Sequence, residues 1–181
     1  APDVEDDIQV DRRKLCEWAG VRFFQSTVTG LDLREKLAHC DNRPPVAFDF
    51  LSLDTGSLPA KSGVTGAAHY ALPAKPVDEL LRRIPPLIDR IVEEHHRPFR
   101  VLVVGGRAGG VELVLSLQHR ALTALKKQGQ DGAKLEFHLL TDTGTILPTH
   151  NARVQKIFTR ILAERGVRVR ANQRVTEVTA D

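Results

Sequence analysis

The strongest chemical signal in the chain is Gly105-Gly106-Arg107-Ala108-Gly109-Gly110, which follows the apolar run Val101-Leu-Val-Val104. Gly105 and Gly110 occupy the first and third glycine positions of a G-x-G-x-x-G turn. That turn feeds a strand into a helix and lays a pyrophosphate on the free N–H groups at the helix start. Arg107 stands at the second glycine position, where the backbone must be bare for phosphate to approach. Two readings follow. In one, Gly106 and Gly109 relax the turn and the guanidinium swings out to hold the phosphate by charge. In the other, the unit keeps its fold and has lost the ligand.

Other residues bear on the same chemistry. Glu112, near the start of the following helix, favours the helix dipole but would oppose a bound phosphate. A ribose-binding acid is expected at the end of the second strand of such a unit. Thr141 occupies that place with Asp142 beside it, and Asp142 can accept from ribose hydroxyls, which favours NAD over NADP. No arginine follows immediately to hold a 2′-phosphate. His150, Asn151 and Arg153 lack a nucleophile or acid partner at a recognisable spacing, and capping explains Asn151 without function. His95 and His96 are adjacent rather than i, i+4, so they do not share a metal. Cys16 and Cys40 are the only cysteines, too few and too far apart for a zinc site or a redox dithiol motif.

The elements that must position these groups alternate. Val101–Val104 reads as a buried parallel strand and Val111–Leu122 as a helix, followed by a polar loop over 128–134 and a second strand, Leu135–Leu140. Thr149 or Asn151 caps a helix with inner face Val154, Ile157, Phe158, Ile161 and Leu162, ended by Gly166. Val167–Val169 and Arg174–Val178 are closing strands. Upstream, Pro76 opens a helix to about Glu94 with a stripe of Val77, Leu80, Leu81, Ile84, Leu87, Ile88 and Ile91, which Pro85-Pro86 must kink or divide. Earlier still, residues 1–10 form an acidic lead-in. Asp11 caps a short helix through Ala19, and Gly20 stops it. Val21–Leu33 is β-rich with Phe23, Val28 and Leu31 as core candidates, and Leu37–Cys40 and Val46–Asp54 complete an antiparallel element. Leu58–Pro76 is a connector.

Composition sets the bounds. At 41% hydrophobic the chain has enough apolar residues for a core, and no run approaches a membrane span or a signal peptide, which makes a cytoplasmic setting the default with peripheral membrane attachment left open. The net charge of +3 is dispersed among plentiful acids, with no basic cluster interleaved with aromatics, so nucleic acid is not an expected partner. Methionine is absent, which points to a processed or excised piece. Leu15 to Phe23 followed by Thr27-Val-Thr29 also echoes Leu162 to Val169 followed by Arg174-Val-Thr176. Either helix-Gly-Val-strand recurs by coincidence, or residues 11–30 are the tail of an earlier βαβ unit.

Several of these blocks together resemble the two-dinucleotide-domain flavoproteins. These are the FAD-dependent pyridine nucleotide-disulfide oxidoreductase superfamily with its NADH:quinone and sulfide:quinone relatives, and the nearest likeness is to the flavoprotein module fused ahead of selenophosphate synthetase in some proteins. The blocks are Asp11-Arg-Arg-Lys-Leu-Cys16 with Ala19-Gly-Val-Arg-Phe23, Phe48-Asp-Phe-Leu-Ser-Leu-Asp-Thr-Gly-Ser57, Ala71-Leu-Pro-Ala-Lys-Pro76, Val103-Val-Gly-Gly106, Gly110-Val-Glu112 and, most specific, Leu147-Pro-Thr-His-Asn-Ala-Arg-Val154.

The resemblance implies an α/β chain with a Rossmann-like three-layer NAD(P)H-binding domain over 72–181 and a partial FAD-binding segment with an antiparallel β element over 1–71. Thr55 and Gly56 would belong to the second FAD-contacting stretch, with Asp54 where the family writes alanine. Glu112 would lie near nicotinamide and flavin. Cofactor contacts are expected from Gly105, Gly106, Arg107, Ala108, Gly109, Gly110, Glu112, Thr141 and Asp142, and the expected cofactors are FAD, held mostly by segments outside the chain, and NAD(P)H with NADH preferred. The implied partners are a small-molecule electron acceptor (a quinone, sulfur or selenium compound), the remaining FAD-domain segments, a fused selenophosphate synthetase domain and a further copy in a homo-oligomer. Such a fragment would be inactive alone.

Overall fold

A computed structural model describes residues 11–55 and 63–180, which fall into two compact units divided after Thr55. The expected acidic lead-in and Gly56 of the second FAD stretch lie outside the described residues.

In the first unit, helix α1 (Arg12–Trp18) starts where Asp11 accepts from the N–H groups of Arg13 and Lys14, satisfying donors that a helix start leaves free. Gly20 stops it at φ 66°. Strands β1 (Val28–Asp32), β2 (Leu37–Cys40) and β3 (Val46–Ala47) form an antiparallel sheet in that order, as the sequence predicts, but the first and last are shorter than expected. Residues 21–27 and 48–54 carry strand-forming side chains without ladder partners among the described residues, and an unpaired segment gains nothing from extension. The core candidates Phe23, Val28 and Leu31 are exposed. Ala38 is the one buried side chain among the described residues of this unit, while Trp18 is 84% and Phe50 98% exposed.

The second unit holds the core. A four-residue helix, α2 (Ala67–Tyr70), precedes α3 (Val77–Glu93), β4 (Phe99–Val104), α4 (Ala108–Lys127), β5 (Leu135–Leu140), α5 (Ala152–Glu164) and β6 (Arg168–Arg170). The strands are parallel in the order β4-β5-β6, with Val101 opposite Phe137 and Val103 opposite Leu139. These four side chains are buried against a stripe on α4, Val111, Val114, Leu117, Ala121 and Leu125, and Leu162 of α5 joins the same cluster. The other face of β4 is open: Leu102 is 55% and Val104 62% exposed, so the run that reads as wholly buried alternates instead. The α/β class is borne out by this parallel sheet and the separate antiparallel one.

Pro85 and Pro86 do not divide α3. Both lie on its exposed side, while Leu80, Ile84, Ile88 and Ile91 hold the opposite side to the core. Val77, placed in the stripe by its spacing, is exposed. Arg174–Val178 does not form a strand. Only Glu177 bridges, in parallel, to Thr65, which ties the segment around α2 to this unit. The two echoing segments share a helix stop, which fits a repeat and a coincidence alike. Gly20 and Val21 donate to the carbonyls of Glu17 and Cys16, as Gly166 and Val167 do to those of Ala163 and Leu162, with Gly20 and Gly166 both at left-handed φ. The second stop leads into β6; the first leads into unpaired chain.

Candidate nucleotide-binding site

The glycine turn leaves the carboxyl end of β4, the end where open α/β sheets take ligands. Its glycines serve different purposes. Gly105 sits at φ 122°, a conformation closed to side chains. A methyl on Gly110 would overlap the carbonyl oxygen of Gly105, so this glycine lets the helix start rest on the turn. A methyl on Gly106 would lie 2.6 Å from Oγ1 and 2.7 Å from Cβ of Thr141. Gly109 has open space around it and is not at positive φ. The predicted helix over 111–122 extends at both ends, so Arg107 becomes its N-cap.

Arginine does not cap, and α4 has no side-chain cap bond and no acid in its first turn. Among the described helices longer than one turn this is unique: Asp11 caps α1, Asn151 caps α5, and Asp78 and Glu79 occupy the first turn of α3. Among the described residues the N–H groups of Arg107, Ala108 and Gly109 find no acceptor, and the exposed guanidinium of Arg107 makes no hydrogen bond or ion pair. Three unmet donors, a positive dipole end and a free cation converge on one turn, an arrangement that suits a phosphate group.

The end of β5 lies beside it. Thr141 is buried at 4% exposure. Its hydroxyl pairs with Thr143 Oγ1 at 2.8 Å, and Thr143 Oγ1 donates onward to the carbonyl of Thr145. Thr141 is thereby occupied internally and packs against Gly106, while Asp142 is exposed and unpaired among the described residues. The loop then doubles back. Leu147 N–H donates to the carbonyl of Gly106 at 2.6 Å, with Leu147 buried and at φ 53°. Sequence reasoning missed this contact. Its only trace is the apolar pair Ile146-Leu147 before Pro148 in an otherwise polar loop.

A model of the pyridine nucleotide-disulphide oxidoreductase family matches residues 9–181, almost the whole chain. The chain belongs to that family. No protein of curated function shares detectable sequence similarity with it. Among solved structures it is similar to NDH2 from Plasmodium falciparum in complex with NADH, at TM-score 0.70 and 18% identity, over 87% of this chain and 35% of that one. It is similar also to the sulfide:quinone oxidoreductase of the hyperthermophilic bacterium Aquifex aeolicus, at TM-score 0.71 and 18% identity, over 97% of this chain and 41% of the other. A NAD-dependent persulfide reductase from A. fulgidus matches at TM-score 0.60 and 18% identity, over 93% of this chain and 29% of that one. At these identities the likeness establishes the fold, and the chain spans well under half the length of each.

For a member of this oxidoreductase family, the remaining candidates separate clearly. Glu112 is exposed in the second turn of α4, beyond the first-turn position that would complement the dipole. Thr55 is exposed at the edge of the first unit. Asn151, not Thr149, caps α5, accepting from the Val154 N–H at 3.0 Å. His150 and Arg153 are exposed nearby. His95 Nδ1 bonds the Val92 carbonyl at a helix end, and no three metal-ligating side chains cluster among the described residues. No described helix is long and apolar enough to cross a membrane.

A charged network also lies on the open sheet face. Glu136 meets Arg100 at 3.3 Å and Arg168 at 3.1 Å, and accepts from Nε2 of buried His138, whose Nδ1 accepts from Arg170. Arg170 can only donate, so His138 accepts through Nδ1 and turns Nε2 to Glu136. Its hydrogen bond, followed by the two arginines, holds the Glu136 carboxyl below the usual glutamate range.

Proposed function

We propose that this chain is the nicotinamide-nucleotide-binding part of an FAD-dependent NAD(P)H oxidoreductase whose acceptor is a quinone, a sulfur compound or a selenium compound. The observation that carries the reading is the start of α4, where three N–H donors and a guanidinium, none with a partner among the described residues, stand beside a glycine turn. When bound, the nicotinamide supplies hydride. The residues of this chain bind and orient: the amides of Arg107, Ala108 and Gly109 take the pyrophosphate, and the Arg107 side chain swings over it as a charge-assisted donor. Asp142, rather than the occupied Thr141, accepts from the adenosine ribose, which makes NADH the preferred form. Glu112 is assigned to positioning the nicotinamide. The described residues of the first unit give no comparable cradle for a flavin.

Titration with NADH and NADPH tests this. The wild-type chain should bind NADH in the micromolar-to-millimolar range, Arg107→Gln should weaken binding about tenfold through loss of a charged hydrogen bond, and Asp142→Ala should erase the preference for NADH. Absence of NADH binding in both the wild type and Arg107→Gly overturns the reading. That outcome would support the second reading, a non-catalytic module attached to a biosynthetic enzyme such as selenophosphate synthetase, which the bulk of Arg107 at a glycine position favours. A flavin absorbance spectrum in the protein as the cell makes it separates the two.

A further inference from the structure

Gly106 contributes no side chain to the site, yet both of its flanks are held. Thr141 packs against its Cα, and its carbonyl oxygen is taken by the Leu147 N–H at 2.6 Å. The Gly106–Arg107 peptide is trans, so its N–H and C=O point in opposite directions. Fixing the Gly106 carbonyl toward the 141–151 loop therefore turns the Arg107 N–H away from that loop, to the open side of the turn.

Leu147 makes this bond in a conformation that branched side chains avoid, φ 53°. Strain of this kind persists only where the surroundings over-determine it. Here they do. The Leu147 side chain is 3% exposed beside Ile146 at 2%, and its carbonyl accepts from both the His150 N–H at 2.9 Å and Gln155 Nε2 at 3.1 Å. Gln155 Nε2 also donates to the His150 carbonyl at 2.9 Å, tying the loop to α5. The hydroxyl relay from Thr141 through Thr143 to Thr145 stiffens the stretch before it.

We propose that Leu147 is a positioning residue for the phosphate site, whose backbone N–H sets the orientation of the Gly106–Arg107 peptide so that the Arg107 amide is aimed at phosphate before the nucleotide arrives. Leu147 itself does not touch the ligand. The inference rests on the nucleotide-binding reading above and adds a requirement to it: preorganisation of the turn comes from the loop after β5.

The test replaces the Leu147 amide with an ester, by incorporating the α-hydroxy analogue of leucine in the full chain, so that the N–H is lost and the side chain kept. NADH affinity, the amide resonances of residues 106–109 and the melting temperature are measured together. NADH binding is expected to weaken about tenfold, with the Arg107 amide no longer shifting on NADH addition while that of Gly109 still does. Gln155→Ala, which removes one of the two donors to the Leu147 carbonyl and the tie from the loop to α5, should weaken binding in the same direction and serves if the ester chain does not fold. A purely structural role would lower the melting temperature and leave the affinity of the folded protein unchanged, and that result overturns the proposal. If the wild type binds no NADH, the underlying nucleotide-binding reading falls and this inference with it; if the wild type binds and both altered chains match it, only the inference falls.

Discussion

Two adjacent glycines in the first turn of α4 should respond in opposite ways to the same methyl group. At Gly109 the space around an added Cβ is empty and the backbone is not at positive φ, so alanine there gains helix propensity of about 0.5–1 kcal/mol. At Gly110 the methyl overlaps the Gly105 carbonyl oxygen, a backbone atom that cannot swing aside as a flexible side chain would. Overpacking of this kind costs about 3 kcal/mol at the upper end of its usual range, and the same propensity gain of about 1 kcal/mol leaves a net loss of roughly 2. For a chain of this size that is a melting temperature lower by about 4–8 °C for Gly110→Ala and higher by about 1–4 °C for Gly109→Ala. Thermal unfolding of the two variants beside the wild type, followed by circular dichroism at 222 nm, reads both. Equal stability of the variants would show that the helix start does not rest on the turn, and the account of why the third glycine of the motif is kept here would be wrong.

Acidification should expose the Glu136 network. Its carboxyl is held low by His138, Arg168 and Arg100, so its contribution is full above the ordinary glutamate value of about 4.3 and is lost as pH falls through the lowered value in the fold. Urea midpoints measured from neutral to acid pH should show Glu136→Gln less stable than wild type at neutrality and indistinguishable from it in acid; a pH-independent difference would refute the linkage. At the start of α5, Asn151→Ala should cost about 1 kcal/mol while Asn151→Ser recovers most of it and Thr149→Ala changes little, since Asn151 alone accepts from the Val154 amide. Urea unfolding checks all three, and a larger effect at Thr149 than at Asn151 would reverse the assignment.

The sequence is most informative where structure is local. β5 falls on the predicted residues, Asp11 and Asn151 cap as their side chains dictate, and Gly20 and Gly166 end helices in the same conformation. Burial of the α3 stripe follows from spacing, because a helix carries its own hydrogen bonds and only its apolar face needs a neighbour. Strands are different, since their backbone groups are satisfied by another segment. Val21–Thr27 and Arg174–Val178 have the composition of strands, but among the described residues the first has no strand partner and the second only the single bridge to Thr65. The uniformly apolar run Val101–Val104 reads as a buried strand, but nothing within it tells that the second face is left uncovered. The glycine turn was legible as a motif. That Thr141 is used up by Gly106 and Thr143, and that Leu147 holds the turn from below, depends on contacts between segments far apart in sequence.

The two prolines of α3 also constrain how the second unit folds. Pro85 and Pro86 remove the amides that would bond the carbonyls of Leu81 and Arg82, leaving the middle of a 17-residue helix without two successive backbone links. Nucleating a helix is unfavourable even without such a gap, so this segment gains little from forming by itself in water. Its order comes from Leu80, Ile84, Ile88 and Ile91 packing into the core they share with α4, β4 and β5. In kinetic terms α3 is expected to follow rather than lead, so truncating its apolar stripe should raise the unfolding rate more than it slows refolding in stopped-flow measurements.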